Sequence, residues 1–207
     1  MRGALRAGIA IYNDGYYHAA HDAWEDHWLG LEAGTDDERL LHGLIQFTAA
    51  VYHARNRNWE GAVGLAESAG EYLEGLPDTY RNVAVAPVRE FLATLATDPE
   101  VLERRRPLTL EYEGQALSLE RLDVEATLVA AGVLAEELGF EEAVLEQGVE
   151  YARSDLSAGN ETSQFLALVV DFVREPERRA LIVDRLEAHV DRRQTREADV
   201  EGLFDPS

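Results

Sequence analysis

Histidine and tryptophan are concentrated in one short stretch of the chain, residues 11–59. This stretch contains five of the six histidines and all three tryptophans. Imidazole exchanges protons near neutral pH and is a common metal ligand, so we expect any chemistry or recognition to be centred here. The residue types alone do not identify a substrate.

The first half of the stretch fits an amphipathic helix over residues 16–31, at 100° per residue. One face carries His18, Asp22 and Glu25, and His21 falls at its edge. The neighbouring face is apolar and contains Tyr17, Ala20, Trp24, Trp28 and Leu31. The polar groups are therefore predicted to lie beside an aromatic surface.

The second half, over residues 37–55, is apolar nearly all round, which predicts a central, buried helix. Its polar residues His42, Gln46 and His53 fall on a single stripe. An unpaired amide or imidazole in the interior costs roughly 1–3 kcal/mol, so these side chains need hydrogen-bonding partners. We expect the preceding helix to supply them, through the side chains that its polar face presents.

The order of motifs in this stretch resembles that of the DUF309 proteins, which are small all-helical domains of unknown function. The first part of the family pattern is matched by Tyr12, Asn13, Gly15, Tyr17, Ala20, His21, Trp24, Glu25 and Trp28. The second part is matched by Gly43, Leu44, Ile45, Gln46, His53, Asn58, Gly61 and Ala62. Two positions depart from the pattern, since Ala19 and Asp22 stand where the family usually has glutamate. The resemblance covers about residues 8–75 and implies a helical fold without assigning an activity.

The predicted arrangement defines a pocket in which His21 and Glu25 meet Gln46 and His53. Its lining is Tyr17, His21, Trp24, Glu25, Trp28, Gln46 and His53. We interpret the chain as an uncharacterised DUF309-like protein that binds a small molecule or a protein in this pocket. The alternative is a hydrolase-type enzyme in which His21, held by Glu25, moves a proton near neutral pH. The same side chains could instead form a buried polar network that fixes the packing of two helices.

A metal ion is a further option for the same stretch, although the sequence requires no cofactor. The pairs His18 with Asp22 and His21 with Glu25 are spaced by four residues, so each pair lies on one helical face. The candidate ligands of a divalent metal are His18, His21, Asp22, Glu25 and His53. The spacing differs from the H-E-x-x-H pattern of zinc proteases.

The composition narrows the class of partner. Forty acidic residues face nineteen basic ones, for a net charge of -21, and every basic residue is arginine. This charge disfavours nucleic acid as a partner, and the lack of cysteine excludes disulfides and thiolate metal sites. An acidic, lysine-free chain is typical of halophilic archaea, where molar salt shortens the Debye length to about 3 Å. At that salt concentration the repulsion among the acidic residues is screened. We therefore expect low salt to lower the melting temperature.

The remainder of the chain predicts a mainly α protein, a helical bundle with one small β-hairpin near the middle. Alternating apolar residues on both sides of Glu113 and Gly114 predict the hairpin. The expected domains are a DUF309-like bundle over residues 1–105, a hairpin with a helical accessory domain over 106–198, and a flexible tail over 199–207. No apolar run spans a membrane and no signal pattern precedes the first helix, so we expect a cytoplasmic protein that can form homo-oligomers.

Overall fold

The computed structural model describes the backbone of residues 1–204 and the side chains of residues 1–199. Over these residues the protein is mainly helical, with ten α-helices and one small antiparallel sheet, and this confirms the predicted fold class. The helices are α1 Arg2–Asn13, α2 Asp22–Leu29, α3 Asp36–Arg55, α4 Trp59–Leu73, α5 Val85–Thr97, α6 Val101–Arg104, α7 Val124–Leu138, α8 Glu142–Ser157, α9 Gln164–Arg174 and α10 Arg179–Phe204. The strands are β1 Thr79–Tyr80, β2 Val83–Ala84, β3 Glu111–Tyr112 and β4 Gln115–Ala116. Short 3-10 turns occur at Ala19–His21, Leu119–Arg121 and Pro176–Arg178.

The chain divides into two compact units, Met1–Val129 and Ala130–Ser207. We call them the N-terminal unit and the C-terminal unit. The hairpin of β3 and β4 belongs to the N-terminal unit, whereas the sequence-based boundary after residue 105 assigns it to the C-terminal part. The described part of the chain contains no helix that is long and apolar enough to cross a membrane.

The side chain of Asn13 explains why the hairpin belongs to the first unit. Its amide oxygen accepts a hydrogen bond from the backbone N–H of Leu110 at 2.8 Å. Its amide nitrogen donates to the carbonyl oxygens of Leu110 and Leu117, both at 2.9 Å. One side chain at the end of α1 thus satisfies three backbone groups about 100 residues away in sequence.

The sheet contains a second hairpin that the sequence does not predict. β1 and β2 pair antiparallel across Arg81 and Asn82, and β2 then pairs with β3 through Val83 and Tyr112. Arg81 and Asn82 both have positive φ, at 49° and 67°, which suits a two-residue hairpin turn. Two-residue strands leave too short an alternating pattern for the sequence to reveal this hairpin.

Helix α3 is the central element of the N-terminal unit, as the sequence predicts. It begins after Thr35, whose side-chain oxygen accepts from the backbone N–H of Glu38 at 3.3 Å. It packs closely on α4, because a Cβ atom at Gly43 would lie only 2.6 Å from the side chain of Leu73. Glycine at this position therefore brings the two helices into contact.

The helix predicted over residues 16–31 is broken into two pieces. The 3-10 turn Ala19–His21 comes first and leads into α2. Trp24 is fully buried, and a Cβ atom at Gly8 would lie 2.2 Å from its indole ring. The close fit of the indole against α1 fixes the position of α2, while the residues before it turn more tightly.

The C-terminal unit is built from α8, α9 and α10, together with most of α7. Phe172 and Leu186 are fully buried, and a Cβ atom at Gly148 would lie 2.8 Å from Leu186. Helix α10 continues to Phe204, into the segment 199–207 for which the sequence predicts a flexible tail. Residues 205–207 of that segment lie outside the described residues.

Candidate functional site

The first polar group in the N-terminal unit consists of His18, His21 and Asp22, which we call the histidine–aspartate cluster. Each residue offers one ligand atom, and these three atoms lie within 4.8 Å of one another. The 3-10 turn Ala19–His21 produces this arrangement, because it brings the side chains at positions 18, 21 and 22 to one side of the chain. The ring of His18 also makes an edge contact with Tyr52, with ring centroids 4.9 Å apart.

His21 is held between two hydrogen-bond acceptors. Its Nε2 lies 3.0 Å from a carboxylate oxygen of Asp22, and its Nδ1 is directed at the carbonyl oxygen of His18. The hydrogen bond to Asp22 raises the pKa of His21 to about 9, although burial of the ring acts in the opposite direction. The ring is therefore an imidazolium at neutral pH, whereas the sequence led us to expect Glu25 as its partner and titration near neutrality.

The second polar group consists of Trp28, Glu38, His42, Gln46 and Tyr72, which we call the aromatic–imidazole cluster. The ring of His42 lies between two aromatic rings, with centroid distances of 4.6 Å to Trp28 and 3.8 Å to Tyr72. Three helices supply these side chains: α2, α3 and α4. All five side chains are buried or half-buried, so the cluster is largely shielded from water.

Glu38 is the buried anchor of this cluster. It accepts hydrogen bonds from Nε1 of Trp28 at 3.0 Å, from the backbone N–H of Gly34 at 3.1 Å and from Nδ1 of His42 at 3.3 Å. Burial by itself would raise the pKa of Glu38, but these bonds together hold the pKa below its ordinary value. The carboxylate therefore stays charged and serves as the acceptor for an N–H at Nδ1 of His42.

Gln46 completes the cluster on the other side of the imidazole. Its Nε2 lies 3.0 Å from Nε2 of His42, which is free to accept once Nδ1 carries the proton. Its Oε1 is buried and has no hydrogen-bond partner among the described residues. A buried amide oxygen without a donor is uncommon and costs roughly 1–3 kcal/mol. This atom is the unsatisfied acceptor of the cluster.

The other residues predicted to line one pocket lie in several places. Tyr17 packs edge-on against Tyr12, and Trp24 is enclosed against α1. Glu25 is exposed, and His53 bonds to the side chain of Asn58 at 2.7 Å. No hydrogen bond in the described part of the chain joins His21 or Glu25 to Gln46 or His53. Of the predicted lining, the structure brings together only Trp28 and Gln46, through His42.

Residues 5–65 match the family model of DUF309, a domain of unknown function. We call this matched part of the chain the DUF309 domain. This confirms the resemblance for that part of the chain, which includes every residue of both polar clusters except Tyr72 on α4. No curated protein matches the chain.

The structure explains several positions of the DUF309 pattern as structural. Asn13 holds the hairpin, and Gly43 allows α3 and α4 to meet. Gly61 lies against the pair of Asn58 and His53, where a Cβ atom would be 3.1 Å from Nδ1 of His53. Asn58 also caps α4 by accepting from the backbone N–H of Gly61 at 3.1 Å. His53 is thus part of a helix start in the DUF309 domain.

The predicted site does not include Glu38 and Tyr72 of the aromatic–imidazole cluster, and the sequence identifies His42 only as part of a polar stripe. Glu38, His42 and Gln46 are spaced by four residues, so they follow one another along a face of α3. This spacing is the sequence signal that could have placed Glu38 in one polar group with His42 and Gln46. Tyr72 carries no such signal, because it lies beyond the matched residues and reaches the cluster only through the packing of α4.

Proposed function

We propose that the DUF309 domain binds a small molecule at the aromatic–imidazole cluster. The observation that carries the proposal is Oε1 of Gln46, a buried acceptor for which the described residues provide no donor. A ligand N–H or O–H group would satisfy this oxygen and remove the cost of its desolvation. Small-molecule sites commonly combine aromatic walls with a few fixed polar groups, and this cluster has both.

The rest of the cluster supports this role by fixing the direction of the Gln46 amide. Glu38 orients His42, and Nε2 of His42 holds the amide nitrogen of Gln46, so the amide oxygen must point the other way. The donor is then presented to a preformed acceptor rather than to a mobile side chain, which lowers the entropic cost of binding. The net charge of -21 and the carboxylate of Glu38 favour a neutral or cationic ligand over an anionic one.

A fragment screen by NMR tests this function. The probes are neutral planar amides and amines, and the reporters are the side-chain amide of Gln46 and the indole N–H of Trp28. We expect binding fragments to shift both signals in the wild-type protein and to lose at least tenfold in affinity in Gln46→Leu, which corresponds to about 1.4 kcal/mol. Gln147→Leu, on α8 of the C-terminal unit, is the matched control.

The opposite outcome would be a screen in which no fragment moves these two signals. A second sign against the proposal would be fragments that bind Gln46→Leu as well as they bind the wild type. Either result would assign the cluster to the packing of α2, α3 and α4.

A second candidate function rests on the histidine–aspartate cluster, whose three ligand atoms lie within 4.8 Å of one another. We propose that two imidazoles and a carboxylate hold a divalent transition metal here, with open coordination positions for water. That donor set is found in hydrolytic zinc sites and in non-haem iron sites. The metal would displace the proton that His21 and Asp22 share, since both could then donate to the ion.

Titration with Co²⁺, followed by its visible absorption and by competition with Zn²⁺, tests the metal site. The expected result is one ion per chain in the wild type and in His189→Ala, and none in His18→Ala. An equal stoichiometry in His18→Ala would exclude this cluster as the binding site. The alternative function is a hydrolase-type enzyme in which His21 and Glu25 act with or without this ion.

A further inference from the structure

A small polar cavity lies in the N-terminal unit, away from both clusters of the candidate site. Its volume is about 230 Å³, and its lining is Arg6, Tyr112, Glu113, Gln115, Leu117 and Arg121. We call it the Arg6 cavity. Ligand pockets for drug-sized molecules have volumes of about 300–1,000 Å³, so this cavity suits a smaller guest.

Arg6 contributes a largely buried guanidinium to this cavity. Its side chain is 11% exposed, and the group lies over the ring of Tyr112, 5.2 Å from the centroid. Nε is 3.1 Å from Oδ2 of Asp123, but its N–H is not aligned for a hydrogen bond. One terminal nitrogen donates to the carbonyl oxygen of Arg121 at 3.4 Å. Arginine has five N–H groups, so most of those of Arg6 have no acceptor within the described chain.

Arg121 places a second guanidinium beside the same cavity. It is exposed, and its side chain makes no hydrogen bond or ion pair with any residue that the structure describes. The two arginines come from different elements, α1 and the 3-10 turn Leu119–Arg121, so their proximity is produced by the fold.

The nearest carboxylate is shared among several donors. Asp123 lies 3.1 Å from Arg6 and 3.8 Å from Arg2, and its other oxygen caps α7 by accepting from the backbone N–H of Ala126 at 3.0 Å. Glu113 also lines the cavity, and its carboxylate accepts from Asn82 at 3.5 Å. Asp123 and Glu113 carry two negative charges against the three positive charges of Arg2, Arg6 and Arg121, and both carboxylates already accept other hydrogen bonds. An anion beside Arg6 and Arg121 is therefore favoured.

We propose that the Arg6 cavity binds a small oxyanion, a phosphate or a carboxylate group. The planar guanidinium offers paired N–H groups that match two oxygens of such an anion. Arg6 supplies the buried donors, Arg121 supplies a second charge at the cavity, and the amide of Gln115 provides a neutral donor among the lining residues. The site lies between α1 and the β3–β4 hairpin, and so it depends on the Asn13 contacts that attach the hairpin.

Isothermal titration of the full chain with inorganic phosphate and, separately, with acetate tests this site. Sodium chloride keeps the ionic strength constant, so that general screening of charge does not change during the titration. We expect a saturable one-to-one heat for at least one of the anions, and about tenfold weaker binding in Arg121→Gln. Arg106→Gln, an exposed arginine that does not line the cavity, should bind like the wild type.

The comparison of the two anions identifies the guest class, since tighter phosphate binding indicates a phosphoryl group and tighter acetate binding a carboxylate. Arg6→Gln provides a second variant, whose folding is checked by circular dichroism and which should abolish the saturable heat. The absence of a saturable heat with both anions would overturn the proposal. An Arg121→Gln affinity equal to that of the wild type would overturn it as well.

Discussion

The two units of this protein treat their buried polar groups differently. In the N-terminal unit, imidazoles lie against aromatic rings, and Oε1 of Gln46 is left without a donor from the described residues. In the C-terminal unit, Arg193 is paired with Asp155 at 2.7 Å and with Glu197 at 3.0 Å, and it stacks on Tyr151 at 4.1 Å. The first arrangement leaves one buried acceptor without a hydrogen bond, whereas in the second the charged groups pair with one another.

The cavity of the C-terminal unit illustrates the same difference. It has a volume of about 700 Å³, which is large enough for a small molecule, and Asp155, Ser163, Arg193 and Glu197 contribute to its lining. Ser163 donates to Asp155 at 2.6 Å, and Tyr151 donates to Glu197 at 2.8 Å. These polar groups already bond to one another and do not need a ligand to satisfy them. The unpaired Oε1 of Gln46 on α3 is therefore a stronger indication of a binding site than the size of this cavity.

Replacing Arg193 by methionine should give the largest effect on stability. The substitution keeps the apolar contact with Tyr151 but leaves Asp155 and Glu197 without their shared cation. We expect a loss of about 2 kcal/mol in the free energy of unfolding, below the 3–5 kcal/mol of fully buried pairs because these groups are partly solvated. Urea unfolding measures this change in the free energy of unfolding. Fragment binding at Gln46 should be the same in the variant and in the wild type. A stability equal to that of the wild type would contradict a structural role for this network.

Acid should weaken the C-terminal unit through Asp155. The hydrogen bond from Ser163 and the charge of Arg193 hold the pKa of this carboxyl below its ordinary value, although burial acts against them. A depressed folded-state pKa gives stability that is present above the unfolded pKa of about 3.9 and is lost as the pH falls through the folded value. Asp155→Asn should therefore be less stable at neutral pH and show a flatter acid limb, whereas exposed Asp191→Asn keeps the wild-type profile. Identical profiles for the two variants would refute this assignment.

Replacing Gln46 by leucine should give the smallest change in stability and the clearest change in binding. The variant loses the hydrogen bond to His42, worth about 1 kcal/mol, but it also removes a buried acceptor whose desolvation costs roughly 1–3 kcal/mol. We expect the free energy of unfolding to be unchanged or to rise by about 1 kcal/mol. A destabilisation above about 2 kcal/mol would indicate that the amide is fully partnered in the folded protein.

Much of the fold follows from local sequence signals, and the composition of the site does not. The apolar residues over 37–55 predict the burial of α3, and Glu113 with Gly114 predicts one hairpin. The partners of His42 depend on contacts between helices, since Tyr72 reaches its ring from α4. His21 was expected to meet Gln46, but a tight 3-10 turn directs it to Asp22 instead. A helical periodicity carries no information about that turn.

The most direct test of the proposed function is a map of backbone amide shifts for the whole chain with a bound neutral fragment. We expect the perturbed amides to cluster around Glu38, His42 and Gln46 on α3, with Trp28 and Tyr72 beside them. The amides around Arg193 in the C-terminal unit should keep their positions. Perturbations centred on Arg193, with no change on α3, would contradict the assignment of the binding site to the DUF309 domain.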